Sequence, residues 1–246
     1  MISLQVLCLC SLLYASTAKL QWRKANFNGS RPTALRDFGS GFWVNGTAGG
    51  RFLVVFGGRH YTGTRSDETW LFDVDELTWQ HVATPTSPPR RYTLVAGVVQ
   101  PLSLFVIAMG QGPSPADGPR SEDDRVKYDD VWALDLRVMN WTRLNVQGEG
   151  ISRRYGGHGG VFFNSTRFYV GGGFADDHRR YSDTFQIDFA AYNHTSPAES
   201  HLRWVEVHPG AAHFNQYTPS EPHARCLHAS TLTSENDLVI FGGCLR

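Results

Sequence analysis

Residues Phe52–Trp79 read FLVVFGGRHYTGTRSDETWLFDVDELTW. An apolar, β-branched run ends on Gly57-Gly58, an acid and an aromatic follow at Asp67 and Trp70, and a turn-rich stretch leads to Trp79. Strand formers punctuated by glycine and aspartate indicate short β-strands joined by tight turns. The same succession returns along the chain. LFVIAMGQG at Leu104–Gly112 precedes DDVWALDL from Asp129, and FYVGGG at Phe168–Gly173 precedes SDTFQIDF from Ser182; LVIFGG closes the series at Leu238–Gly243. Four strings carry the tryptophan: Leu20-Gln-Trp22, Leu77-Thr-Trp79, Met139-Asn-Trp141 and Leu202-Arg-Trp204, at spacings of 57, 62 and 63. Before each glycine strand lies an Arg-led run: LRDFGSGFWV from Leu35, PRRYTLVAGVV from Pro89, SRRYGGHGGVFF from Ser152 and HARCLHAS from His223. Self-similarity at a fixed period marks a repeat architecture.

Each unit therefore holds four short strands: Arg-led, Gly-ending, acidic-aromatic and Trp-led. A four-stranded unit with a double glycine and a later tryptophan is the pattern of a propeller blade. These motifs resemble kelch repeats over essentially all of Lys19–Arg246. The double glycine is intact at Gly57-Gly58, Gly172-Gly173 and Gly242-Gly243, and degraded to Gly110-Gln111 in the second full unit. The resemblance implies an all-β, kelch-type β-propeller, with units near 19–79, 80–141, 142–204 and 205–246. The glycines are read as permitting close strand approach, and the tryptophans as packing between blades. Asp67, Asp129 and Asp183 are expected to accept hydrogen bonds from turn backbone. The count comes to about three and a half blades, where propellers hold typically about four to eight. The reading is a fragment of a larger ring; the alternative is a four-bladed ring closed by Leu20–Ala25.

Composition bounds the function. The chain has 246 residues with 23 basic and 23 acidic side chains, so the basic excess that nucleic-acid binding needs is missing. Hydrophobics at 41% and aromatics at 13% are enough for a core. Residues 1–18, MISLQVLCLCSLLYASTA, read as a secretory signal peptide, with small residues at Ser16 and Ala18 before a cut at Lys19. The alternative is a buried N-terminal helix. That apolar run is too short to span a bilayer, and no later segment is long enough. Five of nine asparagines, Asn28, Asn45, Asn140, Asn164 and Asn193, sit in N-x-S/T sequons. Leader and sequons agree on a secreted or extracellular glycoprotein. With the last hairpin turn centred on Ser234–Asn236, antiparallel pairing sets Cys226 opposite Cys244 and predicts a disulfide.

Strand order assigns each loop to a face. The loops joining strands two to three, and those joining one blade to the next, share one face of the ring. Asn45, Asn164, Asn193 and Asn140 fall on the other, and Asn28 on the first. The loop face carries Arg59, His60, Tyr61 and Arg65, an inserted loop at Gln111–Lys127, and Arg179 and Arg180. Arg90 and Arg153 stand at strand starts beside Arg91 and Arg154. Arginine's fork of donors suits carboxylate or sulfate. These side chains are the candidate ligand-binding residues, for an anionic protein or glycan. The alternative is that the strand-start arginines pair with blade carboxylates.

Catalysis has less support. Galactose oxidase resembles this architecture and uses Tyr, His and a Tyr–Cys crosslink on copper, but both cysteines beyond the leader are expected to pair. His158, His178 and His228 share no ligand spacing; by the kelch resemblance, His158 and His228 match a position where the strands often hold a structural His. The iron motif E-x-x-x-D-x-x-x-H of plant specifier proteins is absent, as are G-x-S-x-G, H-E-x-x-H, C-x-x-C and Walker loops. No catalytic residue, metal ligand or cofactor is assigned. The sequence reads as a binding or scaffold module. The alternative is a kelch-type carbohydrate enzyme, galactose-oxidase-like or sialic-acid-epimerase-like.

Overall fold

In a computed structural model, residues 29–46, 49–114, 126–210, 222–235 and 237–244 are described. The leader stretch 1–18, the Trp22 strand, Asn28 and most of the inserted loop lie outside them. Blade A comprises β1 (Gly39–Val44), β2 (Arg51–Phe56), β3 (Thr69–Asp73) and β4 (Thr78–Val82). Blade B comprises β5 (Val95–Val99), β6 (Leu104–Ala108), β7 (Val131–Asp135) and β8 (Asn140–Leu144). Blade C comprises β9 (His158–Val161), β10 (Arg167–Ala175), β11 (Arg180–Asp188) and β12 (Leu202–His208). Hairpin D holds β13 (Ala229–Leu232) and β14 (Leu238–Phe241). Within every blade, successive strands pair antiparallel, in chain order from one edge to the other. The fold is an all-β propeller, and the described residues form part of the ring.

Alternation along the strands builds the contacts between blades. One core joins blades A and B through Val54, Phe56, Leu71, Phe105, Ile107, Leu134 and Trp141. A second joins B and C through Val95, Val106, Ala133, Phe168, Val170, Phe185 and Ile187. Trp141 packs as expected of a repeat tryptophan. Its ring lies 5.1 Å from Phe56 of blade A, and its Nε1–H donates to Thr69 Oγ1 at 3.0 Å. The inner strands approach so closely that a Cβ on Gly97 would stand 2.8 Å from the Val161 nitrogen. That separation explains glycine at a strand centre, where it otherwise weakens the strand.

Hydrogen bonds repeat from blade to blade. The amides of Gly58, Gly110 and Gly173 donate to the carbonyls of Arg91, Arg154 and Arg225 in the following blade, at 2.9, 3.0 and 2.9 Å. A second series runs Leu227 to Gly156, Gly156 to Thr93 and Thr93 to Asp37, at 2.8, 2.9 and 2.7 Å. All four of its members are left-handed, with φ between 53° and 66°. Asp37, Thr93, Gly156 and Leu227 are therefore equivalent positions, whatever their side chains.

Two expectations change. Asp67, Asp129 and Asp183 bond to arginines instead of capping turns. Turn capping falls to the last residue of each third strand. Asp73 Oδ1 accepts from the amides of Asp75 and Glu76, Asp135 Oδ1 from Arg137, and Asp188 Oδ1 from Ala190. An aspartate at the strand end is where its short side chain reaches the turn amides. Blade C also gains a strand that the four-strand pattern lacks: Val146–Gln147 pairs parallel with Leu202–Arg203 and covers the blade's outer edge.

Candidate partner-binding face

Short paired segments extend the blades on the loop face. Leu35–Arg36 pairs with Arg59–His60, Gln111–Gly112 with Val126–Lys127, and Arg154–Tyr155 with Phe174–Ala175. Of the candidate residues, Arg59 and His60 lie on these extensions and Arg180 pairs with Phe174; Tyr61, Arg90, Arg153 and Arg179 lie outside the strands.

In blade A's loop, Arg59 and Arg65 both stand over the Tyr92 ring, at 5.7 and 5.5 Å. Arg65 is buried and its Nη1 donates to the Gly63 carbonyl. His60 Nδ1 meets Thr33 Oγ1 at 2.7 Å. Tyr61 is 86% exposed. In blade C's loop, Arg180 lies 5.1 Å from the Phe174 ring centre, and Arg179 is exposed beside Asp177 at 3.9 Å. Lys127 bridges to Asp176 at 2.8 Å and leans on Tyr155 and Phe174. The Nε atoms of Arg59 and Arg180 are buried with no hydrogen-bond partner among the described residues.

The strand-start arginines divide into two repeated roles. Arg90 and Arg153 reach back to the preceding blade, to Asp67 at 3.7 Å and Asp129 at 3.4 Å. Their neighbours Arg91 and Arg154 are buried and bind carboxylates of their own blades, Asp130 at 2.5 Å and Asp183 at 2.6 Å. The Arg91 guanidinium also stacks on Tyr128 at 3.9 Å, and that of Arg154 on Tyr181 at 4.0 Å. Burial alone would raise the Asp130 carboxyl; the Arg91 bonds and the Trp132 N–H outweigh it and hold the carboxyl below its ordinary value. In blade A, Leu35 replaces the arginine and Ser66 the tyrosine, and Glu68 accepts only the Trp70 indole among its described partners, at 2.9 Å. The recurrence of tyrosine two residues before Asp130 and Asp183 was the sequence signal for these stacks.

Near the axis, His158 Nδ1 and His228 Nε2 are 3.1 Å apart, linking blade C to hairpin D. His158 Nε2 lies 3.0 Å from Thr184 Oγ1. Burial, then His228 and Arg154, push His158 down to about 3; burial, then Arg225, push His228 down to about 4. Both rings are neutral at neutral pH. Among the described residues, no three His, Cys, Asp or Glu side chains are grouped to hold a metal ion, and no helix is long and apolar enough to cross a membrane. Cys226 and Cys244 face each other across the hairpin, with Cα atoms 5.4 Å apart and sulfurs at disulfide distance.

The chain is 26% identical to acyl-CoA-binding domain-containing protein 5 of Arabidopsis thaliana over 79% of its length, and 28% identical to protein 4 of the same series over 79%. It is 25% identical to Adagio-like protein 1 of Oryza sativa subsp. japonica over 68%. It spans about a quarter of the length of each, 26%, 25% and 24%. Residues 5–243 match the family described as KLHDC2/KLHL20/DRC7 Kelch-repeats domain. Repeat hydrogen bonds, inter-blade tryptophan packing and this match over nearly the whole chain agree: the protein belongs to the kelch-repeat family.

Proposed function

We infer that this kelch domain is the protein-binding part of a secreted or cell-surface glycoprotein, and that it grips an anionic segment of its partner on the loop face. A kelch-repeat domain suggests a protein-binding scaffold. The observation that carries the finer reading is the pair Arg59 and Arg180, each with an Nε that lacks a hydrogen-bond partner among the described residues, beside exposed Tyr61 and Arg179. Arg and Tyr are frequent binding hot spots. The sequons support the orientation. Asn45 lies in the β1–β2 turn, Asn164 in the β9–β10 turn, Asn193 in the β11–β12 loop and Asn140 at the start of β8, all opposite the loop face. Asn140, Asn164 and Asn193 are exposed. Glycans there leave the arginine face open.

The test uses the chain expressed through a secretory route. A fluorescent poly-glutamate peptide should bind, and Arg59→Ala with Arg180→Ala should weaken it by about ten-fold, the scale of losing charge-assisted bonds. Equal affinity for the variant, or equal binding of a neutral peptide, overturns the anionic reading. Mapping glycans by mass spectrometry tests the orientation; absence of glycan from Asn140, Asn164 and Asn193 removes it.

A further inference from the structure

The buried arginines of blades B and C occupy a seat that blade A builds without its arginine. The backbone sets the equivalence. Leu35 pairs with His60 as Arg154 pairs with Ala175. The amide of Ser66 donates to the Gly58 carbonyl as that of Tyr128 donates to Gly110, at 2.9 and 3.0 Å. The carboxylates correspond as well. Trp70 donates its indole N–H to Glu68 Oε2 at 2.9 Å, as Trp132 does to Asp130 Oδ2 at 2.8 Å. Leu35, Ser66 and Glu68 of blade A therefore stand where Arg91, Tyr128 and Asp130 stand in blade B.

In blades B and C the seat is full. Arg91 donates to the Pro89 and Met109 carbonyls at 3.1 and 3.3 Å, and Arg154 to those of Ser152 and Gly172 at 3.2 and 3.3 Å. Each also meets its carboxylate and lies over a tyrosine ring. The side chains of Asp130 and Asp183 are then only 9% exposed. In blade A, leucine carries no donor to the acid, and serine is too small to fill the volume of the tyrosine ring. Glu68 is exposed, and among the described residues no cation meets it. The contrast is internal to blade A. In blades B and C, among the described residues, every hydrogen-bond and stacking partner of the two guanidiniums belongs to their own blade or to the chain leading into it. The preceding blade meets only the backbone of these arginines and the arginine next door, through Gly58 and Gly110 and through Asp67 and Asp129. The empty seat is thus set by residues 35, 66 and 68 themselves.

We propose that blade A is a socket for an arginine side chain of a partner protein. The guanidinium bonds to both oxygens of Glu68, as Arg91 does to both oxygens of Asp130 while the Trp132 indole holds one of them. It also reaches the carbonyl of Gly57, one residue past β2, which matches that of Met109, one residue past β6. Arginine is the cation selected: a carboxylate already oriented by an indole, beside a carbonyl, suits a planar fork of donors better than the point charge of lysine. The socket takes a cation where the loop-face arginines take an anion, so it goes beyond the reading of that face and does not depend on it.

The probe is N-acetyl-arginine amide, titrated into the 246-residue protein. The reporter is the Trp70 indole N–H resonance, assigned by its loss in Trp70→Phe, and N-acetyl-lysine amide is the matched control. A saturable shift is expected, with the arginine amide bound about ten-fold more tightly than the lysine amide. Glu68→Gln should remove that preference. Leu35→Arg fills the seat from within the chain. It should abolish the response to arginine amide and raise the thermal midpoint, so a misfolded variant cannot pass for the expected result. No shift, equal affinity for the two amides, a preference that survives Glu68→Gln, or undiminished binding or a lowered midpoint in Leu35→Arg would overturn the proposal. The poly-glutamate assay of the loop face reads anion binding alone, so failure of that reading and failure of this one are separate results.

Discussion

Arg91 and Asp130 form two parallel hydrogen bonds, Nη1 to Oδ1 at 2.5 Å and Nη2 to Oδ2 at 3.0 Å, with the arginine side chain wholly buried. A guanidinium at that depth depends on its partner. Asp130→Ala leaves an uncompensated buried charge, which typically costs about 3–5 kcal/mol. Arg90→Ala, next door, breaks a partly exposed contact with Asp67 and should cost roughly 0–1 kcal/mol. Urea unfolding of the two variants should separate them clearly. Similar midpoints would mean that the pair does not anchor blade B.

The His158–His228 contact gives stability a pH dependence of known sign. Both rings sit below their ordinary value of 6.5, at about 3 and about 4. The unfolded chain therefore takes up protons at a pH where the folded chain does not. The stabilisation is complete above about pH 6.5 and is lost as pH falls through the folded values near 4 and then 3. Thr184, His208, Arg154 and Arg225 surround the pair and supply no carboxylate to offset the charge. The thermal midpoint should drop between pH 6.5 and 4.5, and the drop should shrink in His158→Gln. An unchanged slope in that variant would exclude the pair as its source.

Much of this fold was legible because the repeat fixes local and global structure together. The Trp spacing, the glycine strands and the paired cysteines each mark a strand end, and the observed register of β13 and β14 sets Ala229 opposite Phe241 and Cys226 opposite Cys244. The roles of the charged residues were harder to see. Arg90 and Arg91 are adjacent and chemically identical, yet one reaches back to the preceding blade and the other is buried in its own. Alternation at a strand start decides that, and a one-residue difference reverses it. The turn-capping aspartates were missed for a related reason. Asp67 and Asp73 stand at opposite ends of the same strand, and only the end next to the β3–β4 turn has free amides. The parallel strand Val146–Gln147 has no repeat signal, because it occurs once.

Glycine tolerance should follow the space around each Cα. At Gly97 a Cβ would meet the Val161 nitrogen at 2.8 Å, and backbone cannot move aside as a side chain does. Gly97→Ala should cost about 1–3 kcal/mol, the range for overpacking. Gly46, in the β1–β2 turn, has nothing within 4 Å of the same position. Gly46→Ala should be near neutral and leaves the Asn45 sequon intact. Differential scanning fluorimetry decides it; equal shifts would mean that the inner strands of blades B and C can separate without penalty.

Hairpin D leans on its cysteines because neither of its strands contains a fully buried residue. Its strands are half-exposed on both faces, with burial alternating between exposed and intermediate along β13 and β14. The Cys226–Cys244 link closes a loop of 18 residues, for which chain entropy gives about 3 kcal/mol. That stabilisation is local, because blades A to C keep their own cores. Cys226→Ser with Cys244→Ser should raise amide exchange in β13 and β14 by a hundred-fold or so, about 3 kcal/mol expressed as an opening constant, while β2, β6 and β10 stay protected. If exchange rose equally in all blades, the hairpin would be part of one cooperative unit, and the disulfide would stabilise the ring as a whole.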